Sequence, residues 1–564
     1  MKPNQQNPLS MKPNQQNPHL RNHFQSGVLS LALVCLSGAT ANAATWNVDN
    51  SGNWGTAGNW SGAVPDAAGA TAELTYDITA ARTVTINISS RILGKLTIRD
   101  SDYSIGGGWN SYTLAANAGL SLILDNGASS ATIQRPVEYS NSGNNTVNST
   151  VSAPVLLNSS LNIANDSRLM VSGPAGNLLF TTGGITANSA GTKTITNNGT
   201  GVGGVVISGV IGDGTGQVAV TQNSTTSALT LSGANTYTGD TTVTSGTLTV
   251  SHVQALQNSA FNTAGTGVIT LSGVTAPTLG GLSGSRNLAS VITTGYSAVT
   301  GITLKPVVGA SPSYSGAIAN GVPNMTLIKD GLGTQILSGT NTYSGATTVK
   351  AGTLLINGSN NGAGSVIVET GATLGGTGSI AGALNVSGTL SPGSSIETFA
   401  SGALTLNPGA IFAYQVDSSA ALVVAADLMK VAGSGLSLSG DVTLSVADLA
   451  SGGGIPFAIG AKFSLINYSG SWNNGTFTYG GASLADDALF STPNNTWQID
   501  YNDLTGGVNF PGEQVVGTGN SFVNITAVPE PGTTLLGALG ALALLRRMRR
   551  VGRGDLAAPT CPIR

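Results

Sequence analysis

The sequence predicts an all-β fold, a right-handed parallel β-helix (β-solenoid) with a short apolar helix near each end of the chain. Three observations predict it: a long internal repeat, period-2 apolar patterning in very short segments, and glycine at turn spacing. Composition narrows the field in the same direction. Of 564 residues 79 are glycine, and only 8% are charged, where soluble domains carry about 25%. The 21 prolines follow no three-residue period, which excludes a collagen helix, and 40% hydrophobic residues exclude a charged disordered polymer.

The repeat supplies the coil. Leu231-Ser232-Gly233, Asn235-Thr236-Tyr237, Gly239, Thr241-Thr242-Val243 and Gly246-Thr247-Leu248 recur 106 positions later as Leu337-Ser338-Gly339, Asn341-Thr342-Tyr343, Gly345, Thr347-Thr348-Val349 and Gly352-Thr353-Leu354. Thirteen of the 22 positions in 229–250 and 335–356 are identical. Upstream, Ser208-Gly209-Val210-Ile211 answers to Ser315-Gly316-Ala317-Ile318, so the units cover 208–250 and 315–356, about 42 residues each. Within a unit Leu229 and Leu231, Thr241 and Val243, and Leu248 and Val250 occupy alternate positions, the signature of strands with one buried face.

Gly233, Gly239 and Gly246 punctuate these strands, and no helical period intervenes, so each strand is expected to stack on its counterpart in the preceding coil. Asn235 and Asn341 are expected at corners in left-handed geometry, with Tyr237 and Tyr343 covering the neighbouring apolar stack. Looser turns at Ala372–Gly378 and Gly388–Gly393 continue the texture. At roughly 20 to 25 residues and about 4.8 Å per coil, the solenoid, residues 44–400, would be a rod roughly 70 to 85 Å long.

Solenoids need caps. Trp46, Trp54 and Trp60 mark residues 44–100 as an N-terminal cap with the first coils. Trp472 and Trp497 belong to a C-terminal β-rich section, 401–526, with longer strands at Lys462–Tyr468 and Trp497–Tyr501. Sealing an open end explains the indoles better than stacking on sugar rings, because tryptophan brings a large apolar area.

The extreme ends differ from the body. The octapeptide at Met1 is repeated at Met11, leaving two candidate starts. Arg21 and His23 then precede an apolar run, Gly27–Leu36, and Ala41-Asn42-Ala43, so 1–43 is expected to be a signal peptide cleaved before Ala44. At the other end Pro529-Glu530-Pro531 is followed by the apolar run Leu535–Leu545, the cluster Arg546, Arg547, Arg549 and Arg550, and a basic tail, 551–564. Prolines halt the preceding strand, the run favours helix, and the arginines remain cytoplasmic.

Residues 527–550 resemble the PEP-CTERM sorting signal of exopolysaccharide-producing bacteria, and the repeat unit resembles the autotransporter-associated β-strand repeat. The first resemblance implies a transmembrane sorting helix, transient inner-membrane anchoring and an exosortase-type membrane protein as partner, with exopolysaccharide as a further candidate. Together they imply an exported, structural or adhesin-like protein of the cell surface or extracellular matrix. The alternative is a polysaccharide-degrading or polysaccharide-binding β-helix.

Few residues can carry chemistry. Residues 44–529 hold 13 basic and 23 acidic groups, a balance that repels nucleic acid. Cys35 and Cys561 both lie in the terminal segments, and His252 is the lone histidine of the body, placed at a turn. Gly212–Gly216 lacks the lysine of a phosphate loop and a helix to follow it. Asp100 with Asp102, Asp486 with Asp487 and Asp500 with Asp503 are the candidate carboxylate pairs, each near a turn where aspartate bonds its own backbone. Surface charge accounts for Asp100 and Asp102 beside Arg99. No catalytic, cofactor or metal site is expected, and the protein is expected not to be an enzyme.

Overall fold

A strand of three to five residues with apolar side chains at alternate positions buries one face, and it needs neighbours along both edges to be stable. The computed structural model shows how this chain provides them. It describes residues 43–530 except for 102–109, 138–146, 169–174, 394–395, 420–424, 434, 451–453, 511–513 and 517–519. Eighteen strands, from Ala44–Thr45 to Ser471–Trp472, form one sheet in chain order with every neighbour parallel. Its seventeen steps at about 4.8 Å make the sheet about 80 Å long.

Two further faces close the coil. The second is a ten-stranded sheet from Gly52–Asn53 to Ile292–Thr294, resumed by another that starts at Ser313–Tyr314. The third has five strands between Arg91–Leu93 and Ile211–Gly212 and begins again at Thr340–Asn341. The molecule is nearly all-β, with long stacked parallel sheets in the manner of a β-solenoid. Among the described residues helix is confined to the single turns Ala57–Asn59, Leu288–Val291 and Tyr296–Ala298. None of these is long and apolar enough to cross a membrane, and the predicted signal and sorting helices lie outside the described residues.

Coil lengths vary more than the expected 20 to 25 residues. Val366 pairs with Leu384, 18 residues on, whereas Leu96 pairs with Ile133, 37 residues on. Insertions enter at the corners, where they leave the register of the ladder intact. The two repeat units sit five strands apart in the large sheet, at Thr241–Val243 and Thr347–Val349. Each spans about two coils, since Leu229 pairs with Leu248.

Register lines up the core. Leu178, Val205, Leu229, Leu248 and Ile269 follow one another on the second face, each at most 2% exposed. Burying such a side chain contributes about 1.5–3 kcal/mol, but only once the next coil covers it. The same closeness explains the glycine of Gly-Thr-Leu. Gly246 and Gly352 have φ of 69° and 62°, and a Cβ on Gly246 would lie 1.8 Å from the Ser224 carbonyl oxygen of the neighbouring coil.

The second face breaks between Thr294 and Ser313, where a single bridge joins Gly284 to Tyr314. Gln335 spans the gap. Its buried amide donates to Leu282 O and its Oε1 accepts from Leu282 N, both at 2.9 Å, so a side chain imitates a paired strand residue. In the first repeat unit this position is Leu229.

Both ends are sealed. Trp46 and Trp54 pack against Trp60 with centroids at 5.3 and 4.7 Å, all three are buried, and the indoles of Trp54 and Trp60 donate to Pro65 O and Trp54 O. At the far end Lys462–Ser469, Asn520–Val528, Asn495–Asp503 and Leu489–Thr492 pair antiparallel in turn. The reversal of direction ends the parallel series. Trp497 is buried there, and Trp472 stacks on Tyr501 with centroids at 5.1 Å. The last strand runs to Val528, two residues past 526, and stops at Pro529 as the proline requires.

Gln335→Leu is expected to lower stability by about 1–3 kcal/mol, because it leaves the Leu282 N–H and C=O unpaired inside the molecule. Urea unfolding of the variant should show the lower midpoint.

Candidate functional site

The identical positions of the repeat meet inside the coil. Tyr237, 1% exposed, places its hydroxyl 2.6 Å from Thr241 Oγ1, which lies 2.7 Å from Ser259 Oγ, and Ser259 donates to Gly239 O. Tyr343 and Thr347 repeat the contact at 2.6 Å, with Asn360 Nδ2 donating to the Tyr343 hydroxyl at 3.1 Å. The tyrosines are therefore internal struts, not covers. Asn235 is also buried: its Oδ1 accepts from Ile211 N and its Nδ2 donates to Ala255 O, linking coils on either side. Asn341 Oδ1 accepts from Ile318 N in the same way. Neither asparagine has left-handed backbone geometry. The expected corner role is corrected to an inward one, because backbone groups that leave the ladder at a corner still need partners.

The carboxylate pairs do not assemble into a catalytic group. Asp100 is buried, not a surface charge: its carboxylate accepts from Ile78 N at 3.2 Å and Asn110 N at 2.8 Å, tying two turns together. Asp102 lies outside the described residues. Asp486 accepts from Tyr501 N, and Asp487 accepts from Gln498 Nε2. Asp500 accepts from Asn502 N, two residues on, and burial pushes its carboxyl up. Burial acts in the same sense on Asp503, but the Lys462 ammonium, the Thr505 N–H and hydroxyl, and the Asn524 amide hold its carboxyl well below the usual range.

His252 Nδ1 accepts from Gln254 N at a turn. Asp213, in the glycine loop, accepts from Val218 N and from the Thr238 N–H and hydroxyl, a staple between coils. A cleft of about 560 Å³ lies between Val416, Asp448, Asn494 and Trp497. Its carboxylate is engaged by the Ser418 N–H and hydroxyl, and its indole has no exposed face. Among the described residues no three His, Cys, Asp or Glu side chains come together to hold a metal ion.

Lys329 and Asp427 are buried ionisable groups that the sequence did not single out. Lys329 donates to Gly331 O at 3.0 Å and Ala351 O at 2.8 Å, and burial pushes its ammonium down to about 8. Asp427 accepts from Glu397 N and Gln415 N, and burial pushes its carboxyl up to about 7 against those donors. Asn509 donates to Asp427 O at 2.5 Å and to Ser464 O at 2.7 Å, locking the same corner. Lys329 could have been found from parity, since it falls two residues after Leu327 on the inward face.

The residues expected to be processed flank the folded body. Ala43 is exposed while Ala44 is buried as the first residue of the first strand, and Ala41 lies outside the described residues. Pro529 and Glu530 follow the last strand at the surface. Pro531, Arg546, Arg547, Arg549 and Arg550 lie outside the described residues. Residues 527–550 match the PEP-CTERM protein-sorting motif. Residues 226–250 and 327–356 match the passenger-associated-transport-repeat family. The chain is an exported, cell-surface protein with transient membrane anchoring. Its sorting motif implies recognition by an exosortase, and neither match is a catalytic family. No curated protein matches the chain. The sorting match begins inside the last strand, so the motif follows the cap without a spacer.

Asp427 makes stability depend on pH in a defined window. The native carboxyl keeps its proton to about pH 7, whereas the unfolded one loses it near 4, so stability is expected to fall as pH rises between these values. Chemical denaturation across that range should show the slope, and Asp427→Asn should flatten it.

Proposed function

We propose that the mature protein is a surface stalk, a right-handed parallel β-helix of residues 44–400 continued by the terminal section 401–526, with a structural or adhesin-like role in an exopolysaccharide matrix. In this reading residues 1–43 direct export, 527–550 are handed to the exosortase, and 551–564 form a basic tail. The observation that carries it is the continuous eighteen-stranded parallel sheet, beside which the third face ends in antiparallel strands that run straight into the sorting motif. Such a body converts chain length into distance from the membrane at about 4.8 Å per coil. The catalytic alternative is disfavoured by carboxylates already engaged in holding turns and by the absence of a catalytic family among the matches.

The matrix role draws on the outer side of the large sheet. Thr132, Asn162, Thr196, Thr221, Thr242 and Asn262 follow one another in register, one per coil. A column of uncharged hydroxyls and amides suits the hydroxyls of a polysaccharide, which offer donors and acceptors but require no counter-charge.

Replacing Pro529-Glu530-Pro531 by alanines is expected to leave export intact and to trap unprocessed protein in the inner membrane. Fractionation of an exosortase-containing host, with mass spectrometry across Leu535–Arg550, checks this. A variant that reaches the surface as well as the parent, with the segment still attached to mature parent protein, would show the tail reading to be wrong. Thr221→Val with Thr242→Val is expected to weaken retention on the host exopolysaccharide several-fold, at about 1 kcal/mol per lost hydrogen bond, without changing the unfolding midpoint by more than a small fraction.

A further inference from the structure

Most exposed large apolar residues stand singly along the coils, such as Ile88, Val202 and Leu332, and single ones are ordinary on a protein surface. One segment of the C-terminal cap departs from this. Ile455-Pro456-Phe457-Ala458-Ile459-Gly460 contains no polar side chain, and Ile455 and Ile459 are 48% and 71% exposed. The segment is also held firmly. Phe457 packs against Phe463 and Trp497 with centroids at 5.0 and 5.7 Å, and its N–H donates to Asn495 Oδ1 at 2.8 Å. Ala461 N donates to Ala458 O, closing a turn in which Gly460 has φ 89°. The loop is pinned through its centre while the isoleucines on either side face outward.

Its position gives the exposure a meaning. Gly460 N donates to Ala527 O and Ala527 N to Ala461 O, both at 2.8 Å, so the loop is bonded to the end of the last strand, just before Pro529. Only six residues, 529–534, separate Val528 from the apolar run that begins at Leu535. Fully extended, six residues reach about 22 Å, and the polar layer of a bilayer is about 5–7 Å deep on each side. With the run inserted, the face that carries Ile455 and Ile459 is confined to the neighbourhood of the lipid surface. Leu504, 77% exposed, and Val508, whose N–H donates to Lys462 O, add apolar surface near the same strand end.

We propose that Ile455–Gly460 is a membrane-contacting foot, which seats its isoleucines in the interfacial layer of the bilayer beside the point where the sorting segment enters. The proposal rests on the reading of 527–550 as a bilayer-inserted sorting segment. The foot sets the orientation of the body: it holds the C-terminal cap against the lipid and presents the tail junction at a fixed height to a membrane-embedded enzyme. Cleavage of the tail then leaves only a few apolar side chains in the interface, too small a contact for stable anchoring, so release follows processing.

The test uses the full chain with Cys35→Ser and Cys561→Ser, carrying an environment-sensitive fluorophore at Ile459→Cys or at Val308→Cys, reconstituted into vesicles that contain a lipid-borne quencher. Val308 is 72% exposed and follows a strand seven steps before Ser471–Trp472 in the large sheet, so it serves as the distant site. The expected result is flotation of the protein with the vesicles, quenching at position 459 and none at 308. Flotation with both positions unquenched overturns the foot and leaves the sorting tail standing. Failure to float overturns the tail reading, and the foot falls with it. A label at 459 that is unquenched in lipid vesicles but protected in native membranes assigns the surface to a protein partner and overturns the lipid assignment.

Discussion

The backbone ladder between successive coils is the constraint on which everything else in this molecule depends. Each strand is too short to be stable alone, and each apolar side chain is covered only by its counterpart about 4.8 Å above or below. Coil length is free, as the range from 16 to 37 residues between partners shows, but the register of the paired strands is not. That division explains where the sequence is strict and where it is lax. Gly246 is required because the Ser224 carbonyl of the adjacent coil occupies the place of a side chain. The variation in length falls between the paired strands, where the chain passes from one face to the next.

The ladder also creates the interior polar groups. Where the chain turns from one face to the next, carbonyls and N–H groups leave the sheet while still enclosed, and leaving them unpaired costs about 1–3 kcal/mol each. The chain answers with inward-pointing polar side chains. Asn197 and Gln222 bond each other and Ser227 O, Asn165 bonds Gly176 O and Gly204 O, and Lys329 serves two further carbonyls. In a compact enzyme, buried groups with displaced titration would mark a site of chemistry. In a stacked coil they are the partners of corner backbone, and Lys329 and Asp427 are placed accordingly.

The two ends give the stack a direction. The N-terminal end closes with three tryptophans that follow the first strand, Ala44–Thr45. The C-terminal end closes with antiparallel strands, the last of which is the lead into the sorting motif. The pinned apolar loop is bonded to Ala527, near the start of that motif, and the proposed membrane-contacting foot rests on this closeness.

Much was legible from sequence alone: the stacked parallel strands, the inward parity of Leu229, Leu231, Leu248 and Val250, the approximate length of the rod, the sealing role of the tryptophans and the halt at Pro529. These follow from local rules, namely period-2 burial, repetition and the geometry of proline, which act within a few residues of where they are read. The tertiary structure alone decided what Asn235, Tyr237, Asp100 and Gln335 do. Their partners lie 4 to 53 residues away, at Thr241, Ile211, Ala255, Ile78 and Leu282. Which coil lies above a given corner depends on the lengths of all the turns between them, and the sequence of one unit does not contain that information. For the same reason the exposed pair Ile455 and Ile459 reads as another stretch of apolar chain until the bonds of Gly460 and Ala461 to Ala527 set it beside the start of the sorting motif.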